Sequence, residues 1–331
     1  MMNNNISRHL STLYSLPSTN NTTNNLEISS KSKNINLITV ATSNVRTLSL
    51  TKIQPIIDTM TQQNITIFGL SETNLPQRQG KYNFKHLDNY NSFFTADDKG
   101  TGVALFIAKP LANHIRSVKD KFGRIIYIDF LFSGHSKLRV IQVYYNAKTH
   151  TYKDRKEREK LYDYTMEIIT EGQKAEFKII LMGDFNSNYD QFLNMKRSNN
   201  YAWINKIFKR LENNNLTDII SFTEDISETN PQYTFRSNIA KSRIDYIWID
   251  NSLLPDLYSS KTIESYLYNT DHCIVLMRLL PDTLLRNTKM SILKQKHIKK
   301  EIILYDEITD EQWEIFKACQ DFHINKKLLL Q

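Results

Sequence analysis

Ile179, Ile180, Leu181 and Met182 run straight into Gly183-Asp184-Phe185-Asn186. An apolar run this short, stopped by glycine, reads as a buried strand and not as a helix of ordinary length. Asp184 and Asn186 then stand at its tip. Residues two apart in an extended chain point to the same side, so both can face one cleft beyond the sheet. Taken alone, the stretch reads equally as an Asx-type turn.

The same pattern recurs, and its recurrence constrains the fold. Short apolar strands are predicted in residues 35–44, 65–70, 103–108, 125–132, 138–145, 179–182, 244–249 and 273–279, with helices at 49–63, 152–170 and 201–212. Many strands, few helices, no repeat and no glycine-rich phosphate loop point to a two-sheet α/β sandwich. Polar residues mark the strand ends: Asn44, Glu72, Asp184 with Asn186, Asp245, and Asp271 with His272. In 244–249, Ile244, Tyr246 and Trp248 alternate with Asp245, which therefore faces the other way.

Each such residue alone is a turn former, a solvated acid or a satisfied histidine. Crowded into one cleft, four carboxylates and an imidazole would repel one another and lose solvation unless a cation or a shared proton compensated. Oxygen ligands without thiolate suit Mg²⁺ or Mn²⁺, which keep waters and bind substrate phosphate. The net charge of +8 favours a polyanionic partner. Together these point to hydrolysis of a phosphate ester.

Other features bound the chain. Its 331 residues can bury a large core unaided. Cys273 and Cys319 alone cannot build a disulfide scaffold or a thiolate zinc site, and suit a reducing compartment. No apolar run approaches the roughly 20 residues needed to span a bilayer, so no membrane association is expected. Residues 1–34, rich in Asn, Ser and Thr, are expected to be disordered, with the folded domain over 35–280. Residues 281–331 form a tail in which Arg286, Lys289, Lys294, Lys296, Lys299 and Lys300 make an acid-free basic segment. Thr309 and Gln312 then have capping-box spacing ahead of Trp313, Phe316 and Cys319, a helix suited to packing against a protein partner.

The motifs SNVR, GLSETN, TGVALFI, QVYYN, MGDFN, SRIDYIWI and TDH, in that order over about 35–280, resemble the endonuclease/exonuclease/phosphatase, or DNase-like, superfamily. Within it, YTFRS, SRIDYI and TDHCIV are most similar to the apurinic-type endonuclease domains of non-LTR retrotransposons. The resemblance implies a four-layer α/β sandwich, two mixed sheets packed face to face with helices outside. It also implies that Glu72 binds the metal, with Asn44 and Asp271 near it. Asp184 would position or deprotonate the attacking water, and Asn186 would orient water and phosphate. His272, held by Asp245, would contact the phosphate, and Tyr144 would donate to it or to the leaving oxygen. Arg243, with Ser242 and Phe235 of the same stretch, is a candidate substrate contact, the other reading of Arg243 being an exposed strand residue.

The chain departs from the family pattern at Ser71, where Gln is common, at Asn146, where Pro is common, and at Thr270, where Ser is common. Without the proline, either Tyr144 or its oppositely pointing neighbour Tyr145 can face the site. The implied activity is Mg²⁺-dependent nicking of DNA, most naturally double-stranded, by an intracellular nuclear or cytoplasmic enzyme. The alternatives are an exonuclease or phosphatase acting on RNA, nucleotide or inositol esters, and a silent nucleic-acid-binding remnant. An inositol phosphatase is disfavoured, since SRIDYIW stands where that branch has a Trp-Cys-Asp-Arg sequence.

Overall fold

Two strand-helix-strand units give the molecule its frame. In chain order, β1 (Ile38–Asn44) passes through α1 (Ile53–Gln62) into β2 (Ile67–Ser71), followed by α2 (Gln77–Asn83), β3 (Tyr90–Thr95), β4 (Val103–Ala108) and α3 (Lys109–Ala112). A meander of β5 (Ile115–Lys121), β6 (Ile125–Leu131) and β7 (Lys137–Tyr144) leads through α4 (Tyr152–Lys174) to β8 (Lys178–Asp184). Then come α5 (Tyr189–Lys196), α6 (Lys206–Asn213), β9 (Leu216–Asp218), the ribbon β10 (Phe235–Arg236) and β11 (Lys241–Ser242), β12 (Asp245–Asp250), β13 (Leu257–Ile263) and β14 (Ile274–Leu279). The computed structural model describes residues 37–97, 100–196, 203–222, 233–265 and 268–281. The expected disordered segment 1–34, the basic stretch and the capped helix of the tail lie outside them.

One sheet has the order β13-β14-β1-β2-β4-β3 and the other β5-β6-β7-β8-β12-β9. Within them β1 and β2 are parallel, as are β7 and β8. Parallel neighbours need a crossover connection, and α1 and α4 supply it. The start of α4 is fixed by a reciprocal cap between Thr151 and Asp154. Both faces of each sheet are covered. Val40, Ile67 and Leu105 of one sheet meet Val140, Ile180 and Ile247 of the other. Outside the first sheet, Phe68 and Phe106 pack on Ile56 and Met60 of α1 and on Phe84. Outside the second, Leu181 and Trp248 pack on Leu161 and Ile168 of α4, Phe192 of α5 and Phe208 of α6. The result is four layers, helix, sheet, sheet, helix. Central strands buried on both faces read as continuous apolar runs, which is why they were visible in the sequence.

The strands absent from the sequence reading are β3, β5, β9, β13 and the two short strands of the ribbon, β10 and β11. In β5, Arg116, Lys119, Asp120 and Lys121 are exposed, the charged character of an edge strand. The helix expected at 49–63 opens as a 3₁₀ turn at Leu50–Lys52 before α1 begins. That expected at 201–212 likewise opens with a 3₁₀ turn, Trp203–Asn205, before α6.

A polar seam crosses the otherwise apolar space between the sheets. Thr42 donates to Gln142 Oε1 at 3.2 Å, Gln142 donates to Ser71 Oγ at 2.9 Å, and Ser71 donates to the Val143 carbonyl at 3.2 Å. Gly69 makes room for it, since a Cβ there would lie 1.9 Å from Gln142 Oε1. Gly183 has φ +136°, and its Cβ would stand 2.0 Å from the Val143 carbonyl oxygen. Glycine before Asp184 is therefore dictated by backbone geometry.

On the helical side, Arg158 of α4 is fully buried. Its guanidinium donates to the carbonyls of Asn146, Phe185 and Asn186, to Ser187 Oγ and to the Tyr162 hydroxyl. One side chain thus ties the loop after β7 to the loop after β8. No carboxylate pairs with it among the described residues.

Two substitutions test these constraints by urea unfolding. Gly183→Ala is expected to cost about 2 kcal/mol, the scale of a strained backbone; an unchanged midpoint would mean that the two strands can part to admit a methyl group. Arg158→Leu is expected to cost about 3 kcal/mol or more by stranding several buried carbonyls. Lys153→Leu, on the exposed side of α4, serves as its control and should stay within about 0.5 kcal/mol.

Candidate active site

The C-terminal ends of both parallel pairs reach the same end of the sandwich. Asn44 lies opposite Ser71 in the first sheet, and Tyr144 lies opposite Asp184, itself opposite Asp245, in the second. Every polar strand-end residue singled out in the sequence therefore stands at this end.

Asn44 joins the two sheets. Its Nδ2 donates to Glu72 Oε2 at 3.1 Å and to Asp184 Oδ2 at 2.9 Å, while its Oδ1 accepts from the Arg46 backbone N–H at 2.8 Å. Glu72, just past β2, has φ +55°, a left-handed turn that directs the chain away from the strand as it leaves. Asn186, with φ +45°, donates its backbone N–H to Asp184 Oδ1 at 2.8 Å and its side-chain Nδ2 to the Tyr145 carbonyl at 2.8 Å. The Asx turn suspected from sequence is present, and it sits inside the cluster of polar residues.

The two tyrosines separate cleanly. Tyr144 has its hydroxyl beside the Glu72 carboxylate, and burial, then Glu72 and Asp184, push its pKa up. Its ring lies under the Arg124 guanidinium, 4.9 Å from the centroid. Tyr145 turns toward α4, where its hydroxyl donates to Thr165 at 3.0 Å.

Across the site, His272 Nδ1 lies 2.8 Å from Asp245 Oδ2, both groups buried. Thr234 Oγ1 accepts the backbone N–H groups of Ile244 and Asp245, fixing the start of β12. Asp271 pairs with Arg46 at 3.1 Å. Burial opposes charge on His272, but Asp245, then Asp184 and Asp271, outweigh it and raise its pKa to about 9. Burial and the Asp245 carboxylate push Asp184 up to about 7, against the pull of His272, Asn44 and Asn186.

The ligand-capable atoms of Asp184, Asp245 and His272 lie within 4.8 Å of one another. Asp245 Oδ1 and Asp271 Oδ1 are buried without a hydrogen-bond partner. Glu72 and Asp271 are not part of that group of three; Glu72 adjoins it through Asn44, which bonds both Glu72 and Asp184, and carboxylate oxygens of this kind suit a hard divalent cation. Asn44, an expected neighbour of that cation, meets Glu72 and Asp184 through its NH₂ group.

Among the expected substrate contacts, Phe235 packs on the His272 ring at 5.1 Å, and Ser242 pairs with Phe235 across the ribbon. Arg243 is a correction. It is neither exposed nor turned toward the strand-end cluster. Its guanidinium is buried, ion-paired with Asp218 and, at 2.9 Å, with Asp190, and it lies over the rings of Tyr189 and Tyr246. The sequence reading had also passed over Arg46, Arg124 and Arg158. For Arg158 a signal existed: it extends the buried stripe of Leu161, Tyr162, Thr165, Ile168, Ile169 and Gly172.

Among the described residues, no helix is long and apolar enough to cross a membrane. No curated protein matches the chain. Its fold is similar to that of the 3′ phosphatase NExo from Neisseria bound to a product DNA hairpin, at 18% identity and TM-score 0.59 over 73% of this chain and 99% of that one. It is similar too to the AP endonuclease LMAP from Leishmania major, at 14% identity and TM-score 0.60 over 74% and 88%. The 3′–5′ exonuclease NExo from Neisseria meningitidis matches at 18% identity and TM-score 0.58 over 73% and 99%. At such identities the likeness is one of fold. The sequence model of the Endonuclease/Exonuclease/phosphatase family matches residues 41–264, and with the DNase-like sandwich this shows that the chain belongs to that family.

Proposed function

We propose that the protein is a divalent-metal phosphodiesterase that nicks DNA to leave 3′-hydroxyl and 5′-phosphate ends. The observation that carries this reading is the pairing of Glu72 with Asp184 through Asn44, beside an Asp245–His272 pair and two buried carboxylate oxygens that make no hydrogen bond. Glu72 and Asp271 would hold Mg²⁺ or Mn²⁺, with Asn44 beside them. Bound there, the ion supplies Lewis-acid polarisation of the phosphate oxygens.

The chain's own residues do the rest. Asp184, buried and with its pKa raised to about 7, takes a proton from the attacking water as the new P–O bond forms. Asn186, fixed on Asp184 and Tyr145, orients that water and the phosphate. Asp245 accepts the Nδ1 proton of His272, leaving Nε2–H to meet charge growing on the phosphoryl oxygens. The bond to the 3′ oxygen breaks, and Tyr144, its hydroxyl beside Glu72, donates to that oxygen or to the phosphate. Phe235 and Ser242 border the His272 side as substrate contacts.

The motif likeness to retroelement nucleases and the net positive charge support DNA as substrate. A second reading, removal of a 3′-terminal phosphate or nucleotide, draws support from neighbours described as a 3′ phosphatase and a 3′–5′ exonuclease.

Nicking of supercoiled plasmid tests the proposal. Activity is expected with Mg²⁺ or Mn²⁺ and none with EDTA, and Asp184→Ala and His272→Ala should each lower the rate by about 10²–10⁴-fold. Metal-dependent release of phosphate from a 3′-phosphorylated oligonucleotide, with intact plasmid, would replace the first reading by the second. DNA binding without turnover on either substrate would sink both. Tyr144→Phe separates the tyrosine's part: about a 10²-fold loss in kcat with KM little changed is expected, whereas Tyr145→Phe should lower stability and leave kcat near wild type.

A further inference from the structure

We infer that the outer face of α2 and its entry turn form a docking surface for an unpaired stretch of nucleic-acid strand flanking the scissile phosphate. The inference rests on the phosphodiesterase reading. Pro76 follows Glu72 by four residues, so its Cα lies no more than about 14 Å from that of Glu72 along the extended chain. Tyr82, about 9 Å further along α2, is then at most about 23 Å from Glu72, a reach of no more than roughly seven nucleotides at the per-strand rise of B-DNA.

The surface is rigidly seated. On the inner side of α2, Gly80 is buried so closely against the Phe94 ring that a Cβ would lie 2.4 Å from its Cγ. Phe84, at the C-terminal end, meets the Phe94 ring at a tilt, 5.8 Å between centroids, and the Phe106 ring edge-on at 4.8 Å. The outer side is bare. Pro76, Arg78, Gln79, Lys81 and Tyr82 line a depression of about 660 Å³, and all five are exposed.

Composition selects the occupant. From Thr73 to Leu87 the chain carries Arg78, Lys81 and Lys85 and no acidic residue. Tyr82 is 66% exposed amid these cations, with Lys85 Nζ 4.5 Å from its ring centroid. An exposed aromatic ring among cations that form no ion pair with the described residues supplies the two elements that bind single strands: a platform for a base and charges for the backbone. A paired base has no free face to offer, so the strand over Tyr82 is unpaired. Arg46, exposed except for its pairing with Asp271, extends positive charge on the site side.

The test compares a fluorescent 20-mer duplex with the same duplex carrying a four-nucleotide unpaired stretch. Binding is measured in EDTA and cleavage in Mg²⁺, for wild type, Tyr82→Ala, the double variant Arg78→Ala with Lys81→Ala, and Tyr258→Ala as an exposed-tyrosine control on β13. Wild type should bind the unpaired form more tightly. Tyr82→Ala should weaken that binding about tenfold with its salt dependence unchanged, and the double variant should also flatten the salt dependence. For cleavage, KM should rise with kcat unchanged, and Tyr258→Ala should match wild type.

Equal binding by wild type and both α2 variants overturns the docking surface and leaves the nuclease reading standing. A loss on the fully paired duplex as large as on the unpaired form also overturns it, since charge alone would then explain the patch. Binding that depends on Tyr82 without cleavage of any substrate keeps the docking surface and overturns the nuclease reading.

Discussion

One carboxamide holds the two halves of the site in register. Asn44 ends a strand of the first sheet, and its NH₂ group spans to Glu72 beside it and to Asp184 of the second sheet. An amide that offers two hydrogens to two anions removes part of their repulsion while demanding a fixed separation. The seam of Thr42, Gln142 and Ser71 lies directly behind, and the Asp184 backbone N–H approaches Ser71 Oγ at 3.4 Å. Apolar packing alone would let two sheets slide. Directional bonds at the rim set where each strand end stands.

The cost of crowding acids in a buried place is met in stages. Asp184 receives hydrogen bonds from Asn44 and Asn186, and Asp245 receives one proton from His272. What is left over is specific: one oxygen of Asp245 has no hydrogen bond, and one of Asp271 has none either, though it lies 3.9 Å from His272 Nε2. Buried carboxylate oxygens seldom stay unpartnered in native structures, and where they do, an ion or a reacting group commonly accounts for them. The cluster is therefore organised for something that arrives.

Much of this was legible because strands buried on both faces leave continuous apolar runs, and the polar residue that breaks each run marks its end. Glu72, Asp184, Asp245 and His272 were found that way. What was not legible depends on side chains that act on backbone. Nothing in the run from Lys153 to Lys160 distinguishes Arg158 by composition; only its phase with Leu161 and Tyr162 does. Ser71 is legible in the sequence only as a departure from the family pattern, and its hydroxyl joins Gln142 to the Val143 carbonyl in the seam. Arg243 failed for the opposite reason: a basic residue beside an acidic strand end suggested phosphate, and three-dimensional neighbours far along the chain, Asp218 and Asp190, had already claimed it.

That failure changes how the net charge of +8 should be read. Arg139 is buried in a two-point bond with Asp129, Arg158 among carbonyls, and Arg243 between two aspartates. None of these guanidinium groups faces solvent, so none steers a polyanion. Their work is internal: Arg139 ties β7 to β6 and α4 away from the site, while Arg158 and Arg243 bond the segments that follow β8 and precede β12. The electrostatic face of the protein is made by exposed cations: Arg46, paired with Asp271, and Arg78, Lys81 and Lys85 on the chain around Glu72, and Lys241 with Arg236, itself paired with Glu264 at 3.3 Å, on the ribbon beside His272. A strand laid across the end of the sandwich would meet positive charge before and after the acidic centre. Such an arrangement draws phosphates toward a place that would otherwise repel them, which is the electrostatic problem any cluster of carboxylates must solve before it can act on a phosphate ester.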